Sequence, residues 1–172
     1  MARLQELADR MEILDCLQRY ARGIDRQDRD LLRSAYHDDA IDDHAGFVGN
    51  VDDFIDWALS YHSTQTRYQH YLMNHTVELA RDEAHTETYY LFIGTDRDRE
   101  KPLTITGGRY VDRFERRENR WAIAARVCLV EWSTYGPSAM TPEIIEFLAP
   151  LQTIAHDISD ASYDRPLAIK RM

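Results

Sequence analysis

Four long segments with period-two hydropathy, 68–79, 85–94, 103–115 and 120–132, follow one another with no helical stretch between them. Few folds accommodate that. The links, 80–84, 95–102 and 116–119, are hairpin-like in length and composition. An antiparallel meander preceded by helices is an α+β arrangement, since alternating β-α-β units would need a helix in every link. At 172 residues the chain is long enough to bury its own core without staples. Residues 1–158 are expected to form one domain. The polar stretch 159–172, with Pro166, is expected to be a tail that packs on a neighbour or stays loose.

Helices fill the first third. Leu4, Leu7, Met11, Leu14 and Ala21 keep a helical period, and Ile13, Cys16, Leu17, Tyr20 and Ile24 widen the apolar face. So broad a stripe suits a helix buried against a curved surface. Gly23 is expected to break this helix, because glycine takes the left-handed conformation that ends helices. In an unbroken helix Tyr20 and Asp25 lie roughly 140° apart around the axis; a break lets both point into one cavity mouth. A short second helix over 30–36 and a strand over 40–44 follow. Asn50 caps a third helix whose inner side carries Phe54, Trp57, Ala58 and Tyr61. Thr141 and Pro142 open a last helix, which Pro150 ends or kinks.

The formal charge of −9 speaks against a nucleic-acid partner, which wants a basic stripe. Cys16 and Cys128 sit in apolar segments without metal-ligand spacing and read as buried, reduced thiols. The N-terminus is charged throughout, and no segment reaches the ~20 apolar residues of a membrane span. A cytoplasmic protein is therefore expected. His37-Asp38-Asp39 and Asp42-Asp43-His44 lack a ligand spacing and read as solvated loop charge, not as a metal site.

Strand parity singles out the residues with chemistry to offer. Strict alternation puts Met73, His75, Val77 and Leu79 on one face of the first long strand and Leu72, Asn74, Thr76 and Glu78 on the other. His75 thus belongs to the apolar side. On the last long strand Arg126 shares a face with Ala122, Ala124, Cys128 and Val130. Small neighbours leave room for a guanidinium in a cavity wall, where it needs an anionic partner or ligand. Plainer roles stay open: Asp25 as a turn or cap residue, His75 as a satisfied core histidine, Arg126 as an outward side chain. If they converge, a carboxylate can orient an imidazole that removes a proton beside a carbonyl, while Arg126 or Tyr20 stabilises the oxygen.

The segments 20–28, 31–40 and 42–47, then Met73-Asn74-His75, Gly108-Arg109-Tyr110 and the ending 121–126, resemble the SnoaL-like branch of the NTF2-like superfamily. That resemblance implies an α+β cone: a curved, mostly antiparallel mixed sheet wrapped around the N-terminal helix over a deep pocket. Its relatives include scytalone dehydratase, bile-acid 7α-dehydratase, a dehydrochlorinase, ketosteroid isomerase and polyketide cyclases. It implies Asp25 and His75 as a catalytic dyad, with Tyr20, Arg126, Asp43 and Tyr110 toward substrate. Asp43 stands where scytalone dehydratase has a tyrosine. Gly107 and Gly108 stand where relatives carry a second acid–base residue, and their missing bulk is expected to make room for a ring-sized substrate. The expected function is a cofactor-independent lyase, a dehydratase first, on a small hydrophobic cyclic or polycyclic compound. An isomerase, a cyclase or a non-catalytic module such as a dioxygenase small subunit are the other roles of this branch. Trp132, Tyr135 and the segment 142–151 exceed the apolar needs of one cone, so a homo-oligomer is expected, trimer before dimer.

Overall fold

The structure, a computed structural model, describes residues 2–96, 103–151 and 154–167. Helix α1 (Ala2–Asp25) leads into a short α2 (Arg29–Arg33), then strands β1 (Tyr36–Asp43) and β2 (Val48–Asn50) and helix α3 (Val51–Ser63). The meander follows as β3 (Gln65–Ala80), β4 (Glu83–Asp96), β5 (Leu103–Arg117) and β6 (Arg120–Gly136), and the chain closes with α4 (Pro142–Leu148). One six-stranded sheet results, ordered β2-β1-β6-β5-β4-β3. Every neighbouring pair is antiparallel except β1 and β6, which run parallel. This is the expected α+β arrangement, a curved mixed sheet with the long N-terminal helix.

The four long strands fall where the period-two segments predict. Two of the expected links are tight turns: Ala80 pairs with Glu83, and Arg117 with Arg120. Glu118 and Asn119, between the latter pair, both have positive φ, as a two-residue hairpin of matching twist requires. Residues 97–102 of the third expected link lie outside the described residues.

Three local expectations need correction. Helix α1 does not break at Gly23 but continues to Asp25. Glycine is needed there for a close approach: a Cβ would lie 2.6 Å from the Leu32 nitrogen and 2.7 Å from its Cα, so α2 packs directly on the helix backbone. The second helix ends earlier than expected, at Arg33, because Tyr36 already pairs with Ile123 in the parallel ladder of β1 and β6. On α1 the buried stripe is Ile13, Cys16, Leu17, Tyr20, Ala21 and Ile24, while Leu4, Leu7 and Met11 are exposed; the first three turns meet the sheet through polar contacts instead, Asp9 with Trp121 and Arg116, and Arg10 with the Val77 carbonyl.

Caps match their sequence signals. Asn50 accepts from the Asp53 N–H, and Thr141 from that of Ile144 with Pro142 in the first turn. Both cysteines are free and buried. Part of the expected tail docks on its own domain: Tyr163 donates to Asp28 at 2.7 Å, and Asp160 meets Arg26 at 3.4 Å. Among the described residues no helix is long and apolar enough to cross a membrane.

Candidate active site

A cavity of about 110 Å³ opens between the end of α1, helix α3 and the inner face of β4 and β5. Its walls are aromatic (Phe54, Trp57, Tyr90, Phe92 and Tyr110), and three imidazoles, His44, His62 and His70, are set among them. Asp25, the last residue of α1, stands behind the cavity wall and holds His70, which lines it. One of its oxygens lies 2.7 Å from His70 Nδ1, and both accept the His70 backbone N–H, at 3.2 and 3.1 Å. A carboxylate facing Nδ1 makes that nitrogen the protonated one and leaves Nε2 as an acceptor. The tail braces the same corner. His156 donates from Nδ1 to the Asp25 carbonyl at 2.8 Å and stacks on Tyr68 with centroids 4.3 Å apart.

A bulge in β3 selects His70. Leu72 faces Tyr90 and His75 faces Thr88, so three steps along β3 match two along β4. Parity therefore flips midway: Tyr68, His70 and Leu72 face inward before the bulge, and His75, Val77 and Leu79 after it, while Tyr71 and Met73 are exposed. His75 lies farther along the sheet. Its Nδ1 meets the Thr88 hydroxyl at 2.8 Å, its Nε2 is buried without a hydrogen-bonding partner, and burial lowers its pKa.

A second imidazole–carboxylate pair stands at the other side. Asp42, fully buried, accepts the Tyr36 hydroxyl at 2.6 Å and faces His44 Nδ1 at 3.0 Å. Burial opposes charge on His44, but the bond to Asp42 and the nearby Cys128 sulfur outweigh it and raise its pKa to about 9. His62 behaves in the opposite way. Burial, then the neighbouring imidazoles, hold it neutral, with its ring edge-on to His70 at 5.1 Å and its Nδ1 unpartnered.

The sequence pattern of the SnoaL-like domain matches residues 5–127. The chain belongs to that family. No curated protein matches it in sequence. Among solved structures, LinA superposes with a TM-score of 0.73 at 21% identity, over 82% of this chain and 97% of its own. A Novosphingobium aromaticivorans protein assigned provisionally to scytalone dehydratase gives 0.68 at 16% identity, over 79% and 97%. The Kfla4162 protein of Kribbella flavida gives 0.69 at 16%, over 75% and 95%. At such identities the likeness is one of fold, and the fold is the NTF2-like cone.

Within this SnoaL-like domain the six expected site residues divide. Tyr110 lines the cavity, stacking on Tyr90 with centroids 4.5 Å apart, and Asp25 meets the lining residue His70 from behind. His75 does not meet Asp25; the bulge gives that place to His70. Tyr20 is buried behind Tyr110 at 5.4 Å, its hydroxyl without a hydrogen-bonding partner among the described residues, because the unbroken α1 turns it away from Asp25 and into the core. Arg126 is also buried, but its Nε and Nη2 both go to Asp112, at 2.7 and 2.8 Å, on the adjacent strand. Asp43 is half-buried on the face of β1 opposite Asp42 and does not line the cavity. The space expected beside the two glycines is filled: the Trp132 indole occupies the Cβ place of Gly107, and the Leu129 carbonyl that of Gly108.

Proposed function

We propose that this SnoaL-like domain is a cofactor-independent lyase, acting as a dehydratase on a small hydrophobic ring compound that carries a carbonyl group. His70 is the base. With Nδ1–H given to Asp25, Nε2 takes the proton next to the carbonyl. The C–H pair becomes a C=C bond and the carbonyl π pair moves to oxygen. Collapse of that enolate then re-forms the carbonyl and expels the β-hydroxyl, which takes the proton back from His70 Nε2 and leaves as water. This chemistry needs only an oriented base and a dry pocket. The observation that carries the reading is the 2.7 Å contact between Asp25 and His70 at the edge of an aromatic cavity. At about 110 Å³ the cavity is smaller than the ~150 Å³ that holds a benzene ring, which favours one ring over a polycycle and requires the walls to give on binding.

The test follows exchange of the α-protons of cyclohexanone into D₂O, and water loss from 3-hydroxycyclohexanone, by NMR. His70→Gln and Asp25→Asn are each expected to slow both by ~10²–10⁴, and the double variant by little more, because the pair acts in one proton transfer. His75→Gln keeps its turnover. One observation favours a second reading: Asp25 also binds the His70 backbone N–H with both oxygens, as a clamp between helix and sheet would. A clamp predicts intact turnover per folded molecule and a stability loss of about 1–3 kcal/mol instead.

A further inference from the structure

Two carboxylates, Asp42 and Asp112, are buried in the interior beside the cavity, yet the one guanidinium buried with them among the described residues, Arg126, is spent on Asp112 through two hydrogen bonds. A second buried anion needs its own cation. The group positioned to supply it is His44, whose Nδ1 faces Asp42 at 3.0 Å while Tyr36 fills the other Asp42 oxygen. His44 also lines the cavity that holds His70. Beside Asp42 and the Cys128 sulfur, aromatic rings surround it, Phe54 at 5.1 Å and Trp57 and Tyr110 each at 5.9 Å. A fixed cation in an aromatic chamber, sharing that chamber with a base, is suited to an oxygen that becomes negative.

We infer that His44, held as an imidazolium by Asp42, is the oxyanion-binding residue of this site, and that the substrate lies with its carbonyl oxygen toward His44 and its acidic C–H toward His70. The inference rests on the lyase reading and fixes the polarity of its substrate. As His70 takes the proton, the C–H electron pair moves into the ring and the carbonyl π pair onto oxygen, which accepts a hydrogen bond donated by His44 Nε2–H, Nδ1–H being given to Asp42. No further reactant is required. Asp42 acts through His44 as a positioning residue. The Cys128 thiol, which reaches the Tyr90 hydroxyl at 3.5 Å, borders the same corner.

The enolate oxygen has a stable mimic in a phenolate, and 4-nitrophenol reports its own ionisation by absorbance. Titrated into the full-length protein, it should bind with its phenolate favoured at least about tenfold over the free phenol at the same pH, the shift an opposite charge produces at contact distance. His44→Gln should abolish that preference, and His70→Gln should keep it. Should the stranded Asp42 charge unfold His44→Gln, the double variant Asp42→Asn/His44→Gln carries neither charge and must show the same loss. Binding of the neutral phenol by wild type, no binding at all, or an unchanged phenolate preference without His44 would each overturn the inference. A phenolate preference that depends on His44, in a protein that exchanges no cyclohexanone protons, would uphold the anion site and sink the His70 base instead.

Discussion

Arg126 lies between the rings of Tyr20 and Tyr110, its guanidinium carbon 4.0 and 4.2 Å from their centroids, and Asp112 meets it directly across the strand pair. Its charge is met inside the protein by Asp112, although its Nη1 is buried without a hydrogen-bonding partner among the described residues. Removing one member of a buried ion pair leaves an uncompensated charge and costs about 3–5 kcal/mol. Arg126→Met is therefore expected to lower the thermal midpoint by about 10 °C, at roughly 2–4 °C per kcal/mol for a chain of this size. Arg126→Met combined with Asp112→Leu should recover most of the loss, since no charge is then stranded; calorimetry of the four proteins checks this. A substrate role for Arg126 predicts instead a stable single variant with raised KM. The sequence left Arg126 open between a cavity wall and an outward position, and said only that an interior one needs an anion. It could not name Asp112, because pairing across strands depends on register. His70 was hidden for a related reason: one inserted residue between Leu72 and His75 reverses parity, so strict alternation turns away the imidazole that meets Asp25. Asp42 was hidden among like charges, where only the strand's alternation, buried at Ala40 and Asp42 but exposed at Ile41, separates it from its solvated neighbours.

Strands and caps were legible at the scale of elements because each rests on local patterning, alternation for the meander and side-chain oxygens for Asn50 and Thr141. Gly23 misled because its reason is tertiary. An isolated glycine in a helical pattern reads as a stop, yet here the missing Cβ, which would lie 2.6 Å from the Leu32 nitrogen, is what admits α2 to the helix backbone. Two effects oppose each other in Gly23→Ala. Helix propensity favours alanine by about 1 kcal/mol, whereas overpacking against backbone typically costs 1–3 kcal/mol, and the backbone of α2 cannot rotate aside as a side chain would. The variant is expected to be less stable by about 1–2 kcal/mol, with faster hydrogen exchange in α2 and β1. A gain in stability would show that Gly23 is tolerated in α1 and has no packing role.

Apolar surface without cover is the main feature at the scale of the molecule. Helix α4 buries none of its residues, and Ile144 and Phe147 point outward. Tyr71, Met73, Val127, Leu129, Trp132 and Tyr135 are exposed on the long strands, and Leu4, Leu7 and Met11 on the first turns of α1. Single exposed apolar residues are ordinary, but neighbouring ones on strands and on a helix with no inner face mark an interface. We propose that copies of this chain cover them, as a trimer before a dimer. Closed symmetry lets one patch serve every subunit, and an acidic chain at −9 gains nothing by packing through its charged loops. Light scattering at micromolar concentration should therefore give about three times 20.2 kDa. Phe147→Glu, on a side chain already 69% exposed, should cost a monomer almost nothing while placing like charges together at the interface. A shift of that variant toward 20.2 kDa with an unaltered circular dichroism spectrum would locate the interface on α4. Wild type at the monomer mass would refute the assembly, and a trimer indifferent to Phe147→Glu would move the interface to the sheet face around Trp132.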